Sequence, residues 1–187
     1  MTRRALILLL MVALPSYAGA IELVTNGGFE TDTSPGWEKD LVGTGAGVTR
    51  STGYDGDPDY EVLVEKGTGN GHGKLDQIIA VPSVDLAFSV NAKIQVLATS
   101  DAWAAAGVAL HYESYLGDIL GTTMIVGKTS YCPWADSGNL HLIEAPDEAW
   151  NGYAFNVADE LANLADVDPN AIRQIRISLF AQVGDDC

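Results

Sequence analysis

An all-β fold, two antiparallel sheets stacked as a jelly-roll sandwich, is what this sequence predicts, and three observations predict it. Over residues 85–99 apolar and polar residues alternate with a period of two, so that Leu86, Phe88, Val90, Ala92, Ile94, Val96 and Ala98 share one face of an extended chain. The same alternation returns at 107–115, with Val108, Leu110 and Tyr112, and near the end with Ile175, Ile177 and Leu179. Turn-rich loops separate these runs, and no segment carries a long amphipathic helical pattern. Strands with one apolar and one polar side belong to half-buried antiparallel sheets.

Composition bounds the rest. A chain of 187 residues that is 47% hydrophobic and 19% charged has the length of one domain and the make-up of a globular one. Residues 1–20 read as a secretory signal peptide: Arg3 and Arg4 make a basic start, 5–14 is an apolar run, and Ala18-Gly19-Ala20 is a small-residue cleavage site. The run is too short to span a bilayer as a helix. The expectation is a secreted protein with no membrane partner, a single sandwich domain filling 21–187. Losing the two arginines of the leader takes the formal charge from −15 to −17. Phosphate binding needs a basic footprint that this chain lacks, which argues against nucleic acid. An acidic surface instead offers oxygen ligands to hard cations such as Ca²⁺. Two cysteines, Cys132 and Cys187, suggest a disulfide in an exported chain. Two free thiols, or a bond from Cys187 to another chain, are the alternatives.

Taken in order, residues 22–38 (ELVTNGGFETDTSPGWE) read as a short edge strand, a turn at Asn26-Gly27-Gly28, an inward Phe29, a carboxylate at Glu30 and a loop closed by Pro35-Gly36-Trp37. The pattern N-G-G-F-E followed by G-W resembles the opening of the secreted jelly-roll carbohydrate-binding modules attached to cellulases and xylanases. The resemblance implies a core Phe29, a Trp37 covering one end of the sandwich, and a Glu30 that helps hold a structural calcium. It also implies that an acid at Asp57 or Asp59 and an aspartate of the last strand, here Asp186, join that calcium. The residues by themselves admit a plainer reading. Glu30 is then a solvated carboxylate, and 54–61 (YDGDPDYE) an acidic turn whose Asp55, Asp57, Asp59 and Glu61 repel one another unless a cation or open solvent screens them. An EF-hand is excluded, since Tyr60 and Lys66 stand where that loop needs Gly and Glu.

Gly43, Gly45 and Gly47 read as a flexible loop at the sandwich rim, because no βαβ unit surrounds them to make a dinucleotide fingerprint. A strand from 61 then leads through a hairpin loop at 67–73 (GTGNGHG) into a strand at 74–81 (KLDQIIAV). The modules this chain resembles often carry a sugar-stacking aromatic two or three residues before the position of Gln77. Lys74 stands in that neighbourhood here, a departure from their pattern. Residues 116–118 turn the chain into a strand over 119–126, and Trp150 with Tyr153 resembles the family's W-x-x-Y strand opening, a structural pair. Residues 158–164 suit one or two helical turns, and 167–172 leads into the last clear strand. The terminal Gly184-Asp185-Asp186-Cys187 resembles only the start of the family's final strand. Either that strand is short and pinned by the disulfide, or an open sheet edge is left to which a neighbouring chain would add itself.

The polar sides of the central strands carry the candidate site. Gln77, Asn91, Lys93, Gln95, His111, Glu113, Tyr115 and Arg176 present planar donors and acceptors with one aromatic, which suits a polyhydroxylated ligand and equally an ordinary solvated sheet face. Trp103 and Trp134, both in loops, are either stacking platforms for a pyranose ring or loop packing. The chain has no G-x-S-x-G, no H-x-x-x-H spacing among His72, His111 and His141, and no Cys/His zinc pattern. His111, Glu113 and Tyr115 on one strand face leave a polysaccharide lyase open, and 25 acidic residues leave a glycosidase pair open. The resemblance implies a non-catalytic protein that takes a poly- or oligosaccharide on a polar sheet face. A structural subunit of an extracellular matrix or filament, assembling by strand exchange, is the alternative.

Overall fold

The computed structural model describes residues 22–52, 59–97 and 103–184. Residues 1–20, expected to be a signal peptide, and Asp57, Asp186 and Cys187 lie outside them. Among the described residues the strands are β1 (Glu38–Val42), β2 (Ala46–Thr52), β3 (Tyr60–Lys66), β4 (Gly71–Ala80), β5 (Ala87–Lys93), β6 (Trp103–Glu113), β7 (Ile119–Lys128), β8 (Leu140–Glu144), β9 (Trp150–Asn156) and β10 (Gln174–Gly184), with one short helix, α1 (Val157–Glu160). Six strands form one sheet in the order β1-β4-β10-β6-β7-β8, and β2–β3 and β5–β9 form two smaller ribbons. The ribbons cover one face of the large sheet: Val48, Val62 and Val64 from the first, Phe88, Val90, Ala92 and Phe155 from the second, pack on Leu75, Val108, Leu110, Tyr112, Ile175 and Ile177. The fold is therefore an all-β sandwich, as the alternation predicts.

Period-two patterning accounts for the layers in detail. In β5, Phe88, Val90 and Ala92 are half-buried while Ala87, Ser89, Asn91 and Lys93 are exposed, the pattern of a strand with one wet side. β6 and β10 lie at the centre of the large sheet, paired on both edges, and are mostly buried on both faces. The strand over 85–99 is shorter than its alternation suggests. It ends at Lys93, and Ile94 continues as irregular chain against β7, where a Cβ on Gly127 would stand 2.9 Å from the Ile94 side chain.

Several expectations are corrected. The opening stretch forms turns rather than an edge strand: Asn26 donates from Nδ2 to the carbonyls of Thr31 and Asp32 and accepts from the Thr31 N–H, which closes the loop on itself. Phe29 and Trp37 then pack ring against ring at 5.3 Å, and Trp37 is buried. The triple-glycine segment is not a flexible rim. Gly43 and Gly45 take positive φ, 84° and 73°, to turn β1 into β2, and Gly47 lies within β2. Residues 67–73 do not close a hairpin, because β3 pairs with β2 and β4 pairs with β1 and β10, so this stretch crosses between layers. The sandwich is not wholly antiparallel either, since β8 runs parallel to β7. β10, the last of the described strands, pairs with β4 and β6 over its length, while residues 185–187, where a final short strand or open edge is expected, lie outside the described residues. Cys132 is a free cysteine buried among Ala105, Ala109, Val126 and Phe180, and its expected partner, Cys187, lies outside the described residues.

One polar network lies inside the sandwich. Tyr112 Oη donates to Thr123 Oγ1 at 3.1 Å, and Thr123 Oγ1 donates onward to Glu160 Oε1 at 3.0 Å. The same carboxylate oxygen meets His141 Nδ1, and Oε2 accepts from Asn163 Nδ2 at 3.2 Å. Burial, with the Glu160 charge behind it, pushes the Tyr112 hydroxyl up to about 12, so it stays a donor. The network ties α1 to the parallel pair β7–β8 and fills the hydrogen-bonding capacity of a buried acid.

Candidate functional site

The large sheet turns its second face away from the ribbons, and strand register sets out what stands there. Lys74 lies beside Phe180, and Asp76 beside Ser178. Across the next pairing Ser178 meets Ala109, and Arg176 meets His111. Beyond it Ala109 meets Met124, and His111 meets Thr122. Residues opposite one another in an antiparallel pair point to the same side, so these form rows across the sheet. Ser178 and Ala109 are small and buried, the rows on either side are bulky, and the face dips between them. Residues 129–139, the excursion that takes the chain from β7 to β8, pass over this dip. They seat Trp134 5.4 Å from Trp103 and 5.8 Å, edge-on, from Phe180. The result is a recess of about 60 Å³ walled by Trp134, Phe180 and Met124 and edged by Lys74, His111 and Gln182. That volume holds one or two waters or a single substituent of a larger ligand.

The charges at this face are mostly accounted for. Burial, and then the Arg176 guanidinium, bring the His111 imidazole down to about 4, with Asp76 opposing and Lys74 adding to the shift. His111 is thus uncharged at neutral pH, with Nδ1 3.0 Å from Thr122 Oγ1 and one ring nitrogen a donor, the other an acceptor. Because its folded value lies below the unfolded 6.5, the unfolded chain takes up the proton first. Stability from this group is therefore full above about pH 6.5, falls as the pH drops toward about 4, and is level below. Urea unfolding of wild type and His111→Gln at pH 7, 5.5 and 4 checks this: the gap between the two midpoints is expected to shrink across that window. Below His111 in the same row, Arg176 Nη2 lies 2.7 Å from Glu113 Oε1, and Gln174 Nε2 donates to Glu113 Oε2 at 2.7 Å. Glu113 is fully buried and takes no part in the surface.

The residues predicted as ligand-binding divide accordingly. His111 and Trp134 are brought together at the recess, Arg176 stands beside His111 on the neighbouring strand, and Trp103 supports Trp134 from behind. Gln77 is corrected: it points inward with Leu75, where it accepts from the Thr25 N–H and donates to the Thr25 carbonyl. Asn91 lies on the exposed side of β5 in the other layer. Glu113 serves as a buried counter-ion, and Tyr115 is exposed in the turn after β6. Sequence reasoning missed Gln182 and Met124 and noted Lys74 only as a departure. The alternation of β10 would have found Gln182, which follows Arg176, Ser178 and Phe180 on one side of the strand.

The calcium set is not assembled by the described residues. The carbonyls of Phe29 and Glu30 accept from the Arg50 guanidinium, which itself stacks 3.3 Å above the Tyr60 ring. The Glu30 side chain is exposed, as is Asp59, while Asp57 and Asp186 lie outside the described residues. Among the described residues no three His, Cys, Asp or Glu side chains come together as metal ligands.

No family model and no curated protein matches the chain. Among solved structures it is similar to the enzymatically active domain of tailspike protein 4 of bacteriophage CBA120, at 14% identity and a TM-score of 0.48. The match covers 88% of this chain and 20% of that one, so the chain spans a fifth of the length of the structure it matches. The similar structure is an enzymatically active domain, and the expectation of a non-catalytic chain is dropped without that activity being assigned to this chain.

Proposed function

We propose that the chain is an exported glycan-interacting protein that receives one sugar substituent in the recess beneath Trp134. The supporting observation is the convergence of a tryptophan wall with Lys74, the uncharged His111 and Gln182 at one small dip in the large sheet. A sugar ring presents C–H bonds that suit an aromatic surface, while its hydroxyls need donors and acceptors in fixed positions. The sequence resemblance of the N-G-G-F-E opening to carbohydrate-binding modules, and the leader expected at 1–20, support the same reading.

The test is titration of wild type and Trp134→Ala with a panel of oligosaccharides, with release of reducing ends followed in the same samples. Trp134→Ala is expected to weaken binding about tenfold, equivalent to 1.4 kcal/mol. Circular dichroism and the melting curve establish that the variant is folded, because Trp134 also packs on Trp103 and Phe180. Wild type that retains no glycan, or a folded Trp134→Ala with unaltered affinity, would refute the assignment. Reducing ends released by wild type and not by His111→Gln would add turnover to binding.

A further inference from the structure

We infer that the recess prefers neutral sugars to their acidic counterparts, and that the carboxylates of Asp40 and Asp76 set this preference. The inference rests on the glycan reading of the same recess and names the class of sugar it takes. Lys74 is the cation at the rim, half-buried and with no ion pair among the described residues. A lone lysine there would invite an acidic ligand, but its surroundings remove that invitation. Asp40 lies directly opposite Lys74 on β1, and Glu38 directly opposite Asp76, so both acids share the outer face with it. Asp76 stands two residues from Lys74 on the same side of β4.

The other groups offer no surplus positive charge. The Arg176 guanidinium is held by Glu113, and His111 is uncharged at neutral pH. Asp40 Oδ2 lies 2.7 Å from His72 Nε2 on the next position along the face. Lys74 and Arg176 thus face Glu38, Asp40, Asp76 and Glu113, and even with His72 counted as a cation the carboxylates outnumber the cations. A uronate carboxylate adds like charge beside these acids, whereas a sugar hydroxyl carries none. The formal charge of −15 for the whole chain acts in the same direction at low salt and is screened beyond roughly 8 Å at physiological ionic strength.

The experiment compares oligosaccharides of glucose, mannose and galactose with the matching oligomers of glucuronate, mannuronate and galacturonate, using wild type, Asp76→Asn and Asp40→Asn. Wild type is expected to bind a neutral oligomer at least about tenfold more tightly than its uronate partner, the scale of one like charge a few ångströms away. Each asparagine variant should narrow the gap by strengthening the uronate more than the neutral oligomer. Tighter binding of the uronate by wild type, or a gap unchanged in both variants, would overturn the preference while leaving glycan binding in place. Failure of every protein to bind either class would instead remove the glycan reading, and this inference with it.

Discussion

Arg176→Met is expected to lower the unfolding free energy by about 4 kcal/mol, because it strands a carboxylate in a place that water does not reach. Glu113 is fully buried and meets Arg176 Nη2 at 2.7 Å; with the guanidinium gone, the Gln174 amide at 2.7 Å is the remaining donor to it. Methionine matches the length of the arginine stem, so the loss reports the missing charge more than missing volume. The double variant Arg176→Met/Glu113→Leu separates the two. It removes both charges and is expected to recover most of the loss, since replacing a buried pair by apolar groups is far less costly than breaking it. Urea denaturation of the three proteins provides the measurement. A double variant no more stable than the single one would mean that the pair is not what holds β6 to β10 at this point.

Glu160→Ala is expected to cost about 3 kcal/mol, or close to 10 °C in Tm for a domain of this size. The carboxylate serves Thr123, His141 and Asn163 together, and Thr123 lies where no water replaces the lost acceptor. The hydroxyl of Thr123 would be left with a hydrogen and nowhere to place it, while still accepting from Tyr112. Glu160→Gln keeps one acceptor oxygen and should lose less. Scanning calorimetry of both variants decides the matter, and equal Tm values for Glu160→Ala and wild type would contradict the network.

Much of this fold was legible because alternation is a local signal. Phe88, Val90 and Ala92, and again Ile175 and Ile177, announce the core side of their strands without reference to any partner. Partner choice is another matter. Nothing in GTGNGHG says whether β4 returns to β3 or leaves for another layer, and both connections satisfy the same glycines. Gln77 shows the limit of alternation itself. It sits in phase with Leu75 and Ile79 on the inward side, and its polarity suggested the outside only because its partner, the backbone of Thr25, lies 52 residues away. Alternation assigns Glu113 to the side opposite Tyr112, but its burial depends on Arg176 and Gln174 from the far end of the chain. Trp134 was a candidate by residue type alone. Its position over Phe180 depends on how the chain reaches β8, which no neighbouring residue encodes.

The parallel pairing of β7 with β8 has a consequence for how the recess is built in this scaffold. Strands that run the same way cannot be joined by a tight turn, so the chain has to leave after Lys128 and come back at Leu140. That obligatory detour supplies the lid of the recess, while β4, β6 and β10 supply its floor. Floor and lid are thereby uncoupled: backbone pairing fixes one, and the other answers only to the span it must bridge. Changing the detour would reshape the recess without redrawing a single rung of the ladder beneath.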